Sequence, residues 1–331
     1  MTVNRCSEAP INAPIAVIIL TFNESKNISH AINSVRGWAQ QIFVVDSYST
    51  DDTVSIATSL GATVYQHTFQ DYSNQWNWAL ESLPLKAQWT LKLDADERVT
   101  PEFKREFASL VQNATPTTTG IYFRRTIFFF GKKIRFGGVR ENFDLRMWRT
   151  GHARFENRSC NEHAVTTGEN VRFSSCIEHH DFKSLSHWID RHNRYSSMEA
   201  REMMAGNALG EVSPRLLGAP DERRMWLRRF YYRLPMRPVV YFVYRYFFRM
   251  GFLDGRVGFR YAFLHTVFFY WIDLKRIEAQ TMGTAPEILW PARGLPTVSA
   301  DNAGPSAQTS NLLDSSLDGA DKKPSMQTGE R

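Results

Sequence analysis

Cysteine is scarce in this 331-residue chain: Cys6, Cys160 and Cys176 cannot all pair, and none forms a CxxC. A disulfide-stapled scaffold is therefore excluded, and the pattern fits a reducing compartment. Long apolar runs are missing as well. The longest near the C-terminus, Tyr261 to Ile272, is interrupted by His265 and falls far short of the ~20 residues of a membrane-crossing helix. The opening stretch MTVNRCSEAPINAP lacks the apolar centre of a signal peptide, so a cytoplasmic location is expected. No GxxxxGK[ST] and no GxGxxG occurs, which removes the P-loop and the dinucleotide fingerprint.

What is present suffices for a sizeable core, since 43% of positions are hydrophobic and 22% charged. The formal charge of +6 is unevenly spread. From Arg223 to Arg276, twelve Arg or Lys stand against Asp254 and Asp273, so this stretch carries +10 and the remainder is net acidic. The same stretch holds 18 aromatic rings. Basic charge mixed with large rings points to an anionic, partly apolar partner, membrane headgroups ahead of nucleic acid.

Along the chain, Ile15–Leu20 is a continuous β-branched run, as a parallel strand covered on both faces requires. Ile28, Ala31, Ile32 and Val35 then recur at helical spacing. Gln41–Asp46 is a second strand, and SYSTDDT opens a helix over Val54–Leu60. Ala62–His67, a helix over 73–83 and Gln88–Leu93 continue the alternation. This predicts a doubly wound, mostly parallel α/β sheet that binds ligands beyond the C-terminal ends of its strands. Polar clusters fall at those ends: Thr21-Phe22-Asn23-Glu24, the stretch from Asp46, and Asp94-Ala95-Asp96. From 119 the pattern reads as an antiparallel ribbon turning near Gly131-Lys132, and 184–206 is helical in period. The basic aromatic block is expected to form amphipathic helices broken at Pro235, Pro238 and Gly251.

Asp94 and Asp96 stand two apart on an extended segment, so their side chains project from one face. Converging carboxylates invite a cation; hard ions such as Mg²⁺ or Mn²⁺ take one or two of them together with substrate phosphates. A solvated acidic face is the bland alternative. Cys160, His163, Cys176, His179 and His180 match no standard zinc spacing. Trp76 and Trp78 sit two apart in a helix, so at most one faces the core. Among Arg124, Arg125, Arg140 and Arg146, the first three read as ribbon-surface residues, and Arg146 is favoured as a forked phosphate contact.

The set ILTFNES, VVDSYSTDDT and LKLDADE, in this order and spacing, resembles the family-2 glycosyltransferases of the GT-A fold. The likeness continues through GG…DLRMWR, NEHAVTTG and RYFFRMGFLDGR, and is similar to the bacterial subgroup serving lipopolysaccharide core or exopolysaccharide. It implies that Thr21, Phe22, Asn23 and Glu24 frame the nucleotide and that Asp46 bonds the uracil ring. Asp94 would face ribose and pyrophosphate, and Asp96 would ligate Mn²⁺ or Mg²⁺. It implies an inverting enzyme, with Glu162 as first and Asp144 as second candidate for the general base. The implied donor is a nucleotide-sugar, a UDP-hexose, and the acceptor a lipid-linked saccharide at the inner face of the plasma membrane. No nucleic-acid partner is expected.

The expected organisation is a flexible N-terminus over 1–13, a nucleotide-sugar-binding half over 14–118 and an acceptor-side half over 119–210. Membrane-surface helices over 211–282 and a mostly disordered tail over 283–331 follow. Two alternatives compete. A sugar-phosphate nucleotidyltransferase would carry a glycine-rich loop after its first strand, and ILTFNESKN has no glycine. A non-enzymatic membrane or nucleic-acid binder would leave the three polar strand ends unexplained.

Overall fold

The computed structural model describes residues 12–139, 143–156, 163–205 and 236–289. Its centre is a sheet that begins as the sequence predicts. β1 (Ala13–Thr21) lies between β2 (Ala39–Asp46) and β4 (Trp89–Asp94), parallel to both, and β3 (Thr63–Gln66) extends β2. The intervening helices are α1 (Ile28–Val35), α2 (Thr53–Ser59) and α3 (Tyr72–Ser82). Asp71 caps α3 by accepting from the Asn74 N–H at 2.8 Å.

The sheet does not stop at β4. A short β5 (Glu97–Arg98) and α4 (Pro101–Asn113) lead to β6 (Thr118–Phe129), which turns at Phe130-Gly131 into β7 (Lys132–Lys133). That hairpin is the expected ribbon, but most of β6 joins the main sheet. β8 (Phe143–Arg149) runs antiparallel between β4 and β6, and β11 (Glu169–His180) lies parallel to β6. The order is β3-β2-β1-β4-β8-β6-β11-β5, so the strands on either side of residue 118 share one sheet. β9 (Ala153–Phe155) and β10 (Ala164–Thr166) form a separate antiparallel pair.

Alternate residues of the central strands feed two apolar layers. Ile15, Val17 and Ile19 pack with Ile32 of α1 and with Phe103 and Phe107 of α4. Ala16, Ile18, Phe43 and Val45 pack with Trp76 of α3 and Trp148 of β8. Trp76 is the buried member of its pair, but Trp78, partly buried, packs against the same layer and stacks on His67 at 4.3 Å. Each fully buried large side chain contributes roughly 1.5–3 kcal/mol, so both layers hold the strand ends rigidly in place.

After α5 (Leu185–Met204) the description resumes with α6 (Arg237–Val243), a π-helical turn (Tyr244–Phe248), a 3₁₀ turn (Gly251–Asp254) and α7 (Gly255–Met282). Pro238, expected at a break between helices, lies in the first turn of α6, where its missing N–H costs nothing. Gly251 does fall at a break, and Pro235 lies outside the described residues. The arginines here are not all turned outward. Arg237 is buried and donates to Asp273, and Arg245 donates to the Gly137 carbonyl at 2.7 Å.

The RYFFRMGFLDGR segment clamps the loop that follows β7. Asp254 accepts from the N–H groups of Arg135 and Phe136, and the Gly137 N–H donates to the Arg249 carbonyl at 2.8 Å. The clamp needs glycine at 258, because a Cβ there would stand 2.2 Å from the Gly251 carbonyl oxygen. Among the described residues no helix is long and apolar enough to cross a membrane.

Candidate active site

Extending the sheet to β8, β6 and β11 brings the end of β11 beside the Asp94–Asp96 turn. A cavity of about 2120 Å³ opens there, with the sheet edge on one wall and α5, α6 and α7 on the other. The two carboxylates are held by different cations. Asp96 Oδ2 faces His179 Nε2 at 3.2 Å and Arg191 of α5 at 3.5 Å. Burial opposes ionisation of Asp96, yet His179 and Arg191 hold its carboxyl far below the usual carboxylate range. Burial likewise lowers the basicity of His179, but Asp96 outweighs it and the net shift is upward.

Asp94 Oδ2 accepts from Arg146 at 2.6 Å. Its own N–H donates to Glu97 at 2.8 Å, which tightens the turn. Glu97 is wholly buried, bonded to Arg146, with Arg125 at 3.7 Å. Burial raises the Glu97 pKa despite these arginines. Burial also opposes ionisation of Asp94, but the charges of Arg146, Lys92 and Arg125 together outweigh it and the shift is downward. Arg146 therefore anchors the carboxylate turn from beneath, rather than standing free for a phosphate.

A second network ties the β1 end to the β11 end. Lys183 donates to Glu24 at 2.6 Å, and Asn27 donates to Glu24 at 2.9 Å and to Asp181 at 3.1 Å. Arg191 completes it by donating to Asp181 at 2.9 Å. Burial dominates at Glu24; the Lys183 charge offsets it in part, and the carboxyl is pushed up to about 7.

Of the residues expected at the site, Glu24, Asp94, Asp96, Asp144 and Arg146 line the cavity, whereas Thr21, Phe22, Asn23 and Asp46 do not. The Asp46 oxygens are engaged locally: they accept from Thr21 Oγ1 at 2.9 Å, from the Ser49 N–H at 2.8 Å and from Gln66 at 3.4 Å. Asn23 accepts from the Thr50 N–H at 2.8 Å, zipping the loops after β1 and β2 together. Asp144 accepts from Arg125 at 2.8 Å. Glu162 lies outside the described residues, as do Cys160 and Arg140, while His163 and Ala164 line the cavity.

Sequence reasoning overlooked Glu97, Lys183 and Arg191, weighed His179 only for zinc and read Arg125 as a surface residue. Glu97 had a local signal, since it adjoins the Asp-x-Asp pair. The others depend on β6 and β11 pairing across the sheet, which no local spacing announces.

A mostly parallel sheet with flanking helices and an Asp-x-Asp turn beyond its fourth strand is the GT-A arrangement of a glycosyltransferase. The Glycosyl transferase family 2 profile matches residues 16–166, from within β1 to the end of β10. An uncharacterised glycosyltransferase of Rickettsia prowazekii is 30% identical over 200 residues, covering 57% of this chain and 68% of that protein. A Rickettsia typhi glycosyltransferase aligns with the same identity and coverage. The chain belongs to glycosyltransferase family 2. More distantly, the glycosyltransferase SunS of Bacillus phage SPbeta is 33% identical over 96 residues, which are 28% of this chain and 22% of that one. Among solved structures, the glucosyl-3-phosphoglycerate synthase of Mycobacterium tuberculosis, crystallised with Mn²⁺, UDP and phosphoglyceric acid, is 21% identical with a TM-score of 0.29. That match covers 34% of this chain and less than half, 43%, of the solved one.

Proposed function

We propose that this transferase is inverting and moves a hexose from a UDP-sugar to a hydroxyl of a lipid-linked saccharide, in lipopolysaccharide or exopolysaccharide synthesis. The observation that carries the reading is the Asp94–Asp96 turn, whose ionised carboxylates reach the cavity backed by Arg146, His179 and Arg191.

The donor set suits a divalent ion. Both cationic neighbours of Asp96 make their closest approach to Oδ2. No group of three or more His, Cys, Asp or Glu stands ready for a metal among the described residues. An ion that completes its shell with water and a diphosphate fits that sparse provision, with Asp96 holding it. When bound, Mn²⁺ or Mg²⁺ neutralises charge on the departing diphosphate.

The chain's own residues supply the rest. Arg191 and Lys183 hold the carboxylates of Asp96, Asp181 and Glu24 in place beside the cavity, and Glu97 with Arg146 holds the turn against collapse. A carboxylate takes the proton from the acceptor hydroxyl as its oxygen attacks the anomeric carbon, opposite the leaving diphosphate. Glu162 is the first choice for this base; Asp144, with one oxygen engaged by Arg125, is the second. The basic aromatic region supports a lipid-linked acceptor and peripheral residence on an anionic inner leaflet.

Labelled UDP-glucose and UDP-galactose, with bacterial membranes as acceptor source, test the reading. Label is expected in the lipid-extractable fraction, and Glu162→Gln should abolish its transfer. Near-normal transfer by Glu162→Gln beside a dead Asp144→Asn would reverse the assignment of the base.

A further inference from the structure

α7 is apolar on two sides. Val257, Tyr261 and His265 pack inward against the β6–β7 hairpin and Trp188 of α5. On the other side Phe259, Phe263, Tyr270, Leu274 and Ile277 are all exposed. Steps of four, seven, four and three residues keep these five within one helical stripe, about 27 Å long at 1.5 Å per residue. The turns ahead of α7 add Phe247, Phe248, Phe252 and Leu253, also exposed, Phe248 to 75%. Apolar patches of this extent mark an interaction surface.

Its charge selects the partner. At 100° per residue Arg256 and Arg260 fall on the same outward side of α7, at its N-terminal end, and both are exposed. Asp254, the acid nearest to them, is occupied by the Arg135 and Phe136 N–H groups. Rings that seek an apolar phase, flanked by guanidinium groups that seek phosphate, match the boundary of an anionic bilayer. The same segment reaches the catalytic cavity: Tyr241, Tyr244, Arg245 and Arg249 line it, while Phe247 and Phe248 face outward.

We infer that α7 lies flat in the headgroup region of an anionic membrane, with Phe247, Phe248, Phe252 and Phe259 in the acyl boundary and Arg256 and Arg260 on lipid phosphates. This sets the cavity wall formed by Tyr244 and Arg249 at the lipid surface. The inference rests on the proposed lipid-linked acceptor for its purpose; its geometry is independent of the donor.

The test is flotation of the full chain with phosphatidylcholine vesicles, with and without phosphatidylglycerol, at moderate salt. Phe248→Ser/Phe252→Ser and Arg256→Glu/Arg260→Glu double variants are compared, with circular dichroism and UDP calorimetry run on each protein. Wild type should float only with the anionic vesicles, and each variant should partition at least about tenfold more weakly while UDP binding is unchanged. Wild type that binds UDP but does not float, or variants that float equally well, would overturn the inference. So would a stable dimer that the variants split, since a second copy would then cover the stripe. Normal flotation without UDP binding would instead refute the donor reading and leave this surface standing.

Discussion

Replacing Arg146 with methionine removes the cation under the Asp94–Asp96 turn while keeping most of the side-chain volume. Arg146 is almost fully buried and bonds both Asp94 and the wholly buried Glu97. Removing one partner of a buried ion pair costs about 3–5 kcal/mol, because the other charge is left uncompensated. Two features favour the lower end, about 3 kcal/mol: Arg125 still stands 3.7 Å from Glu97, and the Asp94 side chain is 40% exposed and can turn to water. That loss corresponds to a melting point lowered by roughly 4–5 °C for a chain of this length.

The deficit should also depend on pH. Glu97 is raised by burial, so its contribution is fullest in acid and is lost as pH rises; deleting Arg146 pushes it further up. Asp94 is depressed with Arg146 as a main cause, so wild type holds that stabilisation above the ordinary Asp range and loses it as pH falls. The Glu97 trend makes the Arg146→Met deficit larger near about pH 8 than near about pH 5, and the Asp94 part shrinks only in acid below the ordinary Asp range. Urea unfolding in EDTA, with Arg146→Lys as the charge-keeping control, measures it. A deficit below about 0.5 kcal/mol at the higher pH, or one flat across the range, would refute the assignment of Arg146 as anchor.

Glu24 gives a second titration. Its carboxyl is raised to about 7, so its stabilising neutral form is lost as pH rises through that value. The melting point of wild type should therefore fall relative to that of Glu24→Gln as pH climbs through about 7; parallel curves would contradict the burial. Gly258→Ala tests the clamp. Alanine in a helix interior normally gains about 1 kcal/mol over glycine, but here the Cβ would meet the Gly251 carbonyl at 2.2 Å. A net loss of about 1–3 kcal/mol in urea is expected, and a gain would show that the two glycines do not approach closely.

The strand β1 was legible because a strand covered on both faces is a continuous apolar run, and β2 and β4 because short, mainly apolar stretches, Ile42–Val45 and Trp89–Leu93, recur at the spacing of a strand–helix alternation; only the strand ends differ by a residue or two. The Asp94–Asp96 pair was legible for the same local reason. β6 was recognised as extended but not placed, since pairs such as Cys176 with Arg124 join residues far apart in sequence. His179, Lys183 and Arg191 therefore had no visible relation to Asp96. Arg125 looked like a surface residue until β6 entered the sheet and set it between Asp144 and Glu97. In the C-terminal block, composition marked a surface but could not separate Arg237, paired with Asp273, from the outward-facing Arg256 and Arg260.

The central claim is that the Asp94–Asp96 turn holds a nucleoside diphosphate through a divalent ion. Calorimetry of UDP with and without Mn²⁺, on wild type and Asp96→Asn, tests it most directly. The account predicts micromolar binding that requires Mn²⁺ and collapses in the variant. Equal binding by both proteins, or none by wild type with Mn²⁺ present, would contradict it.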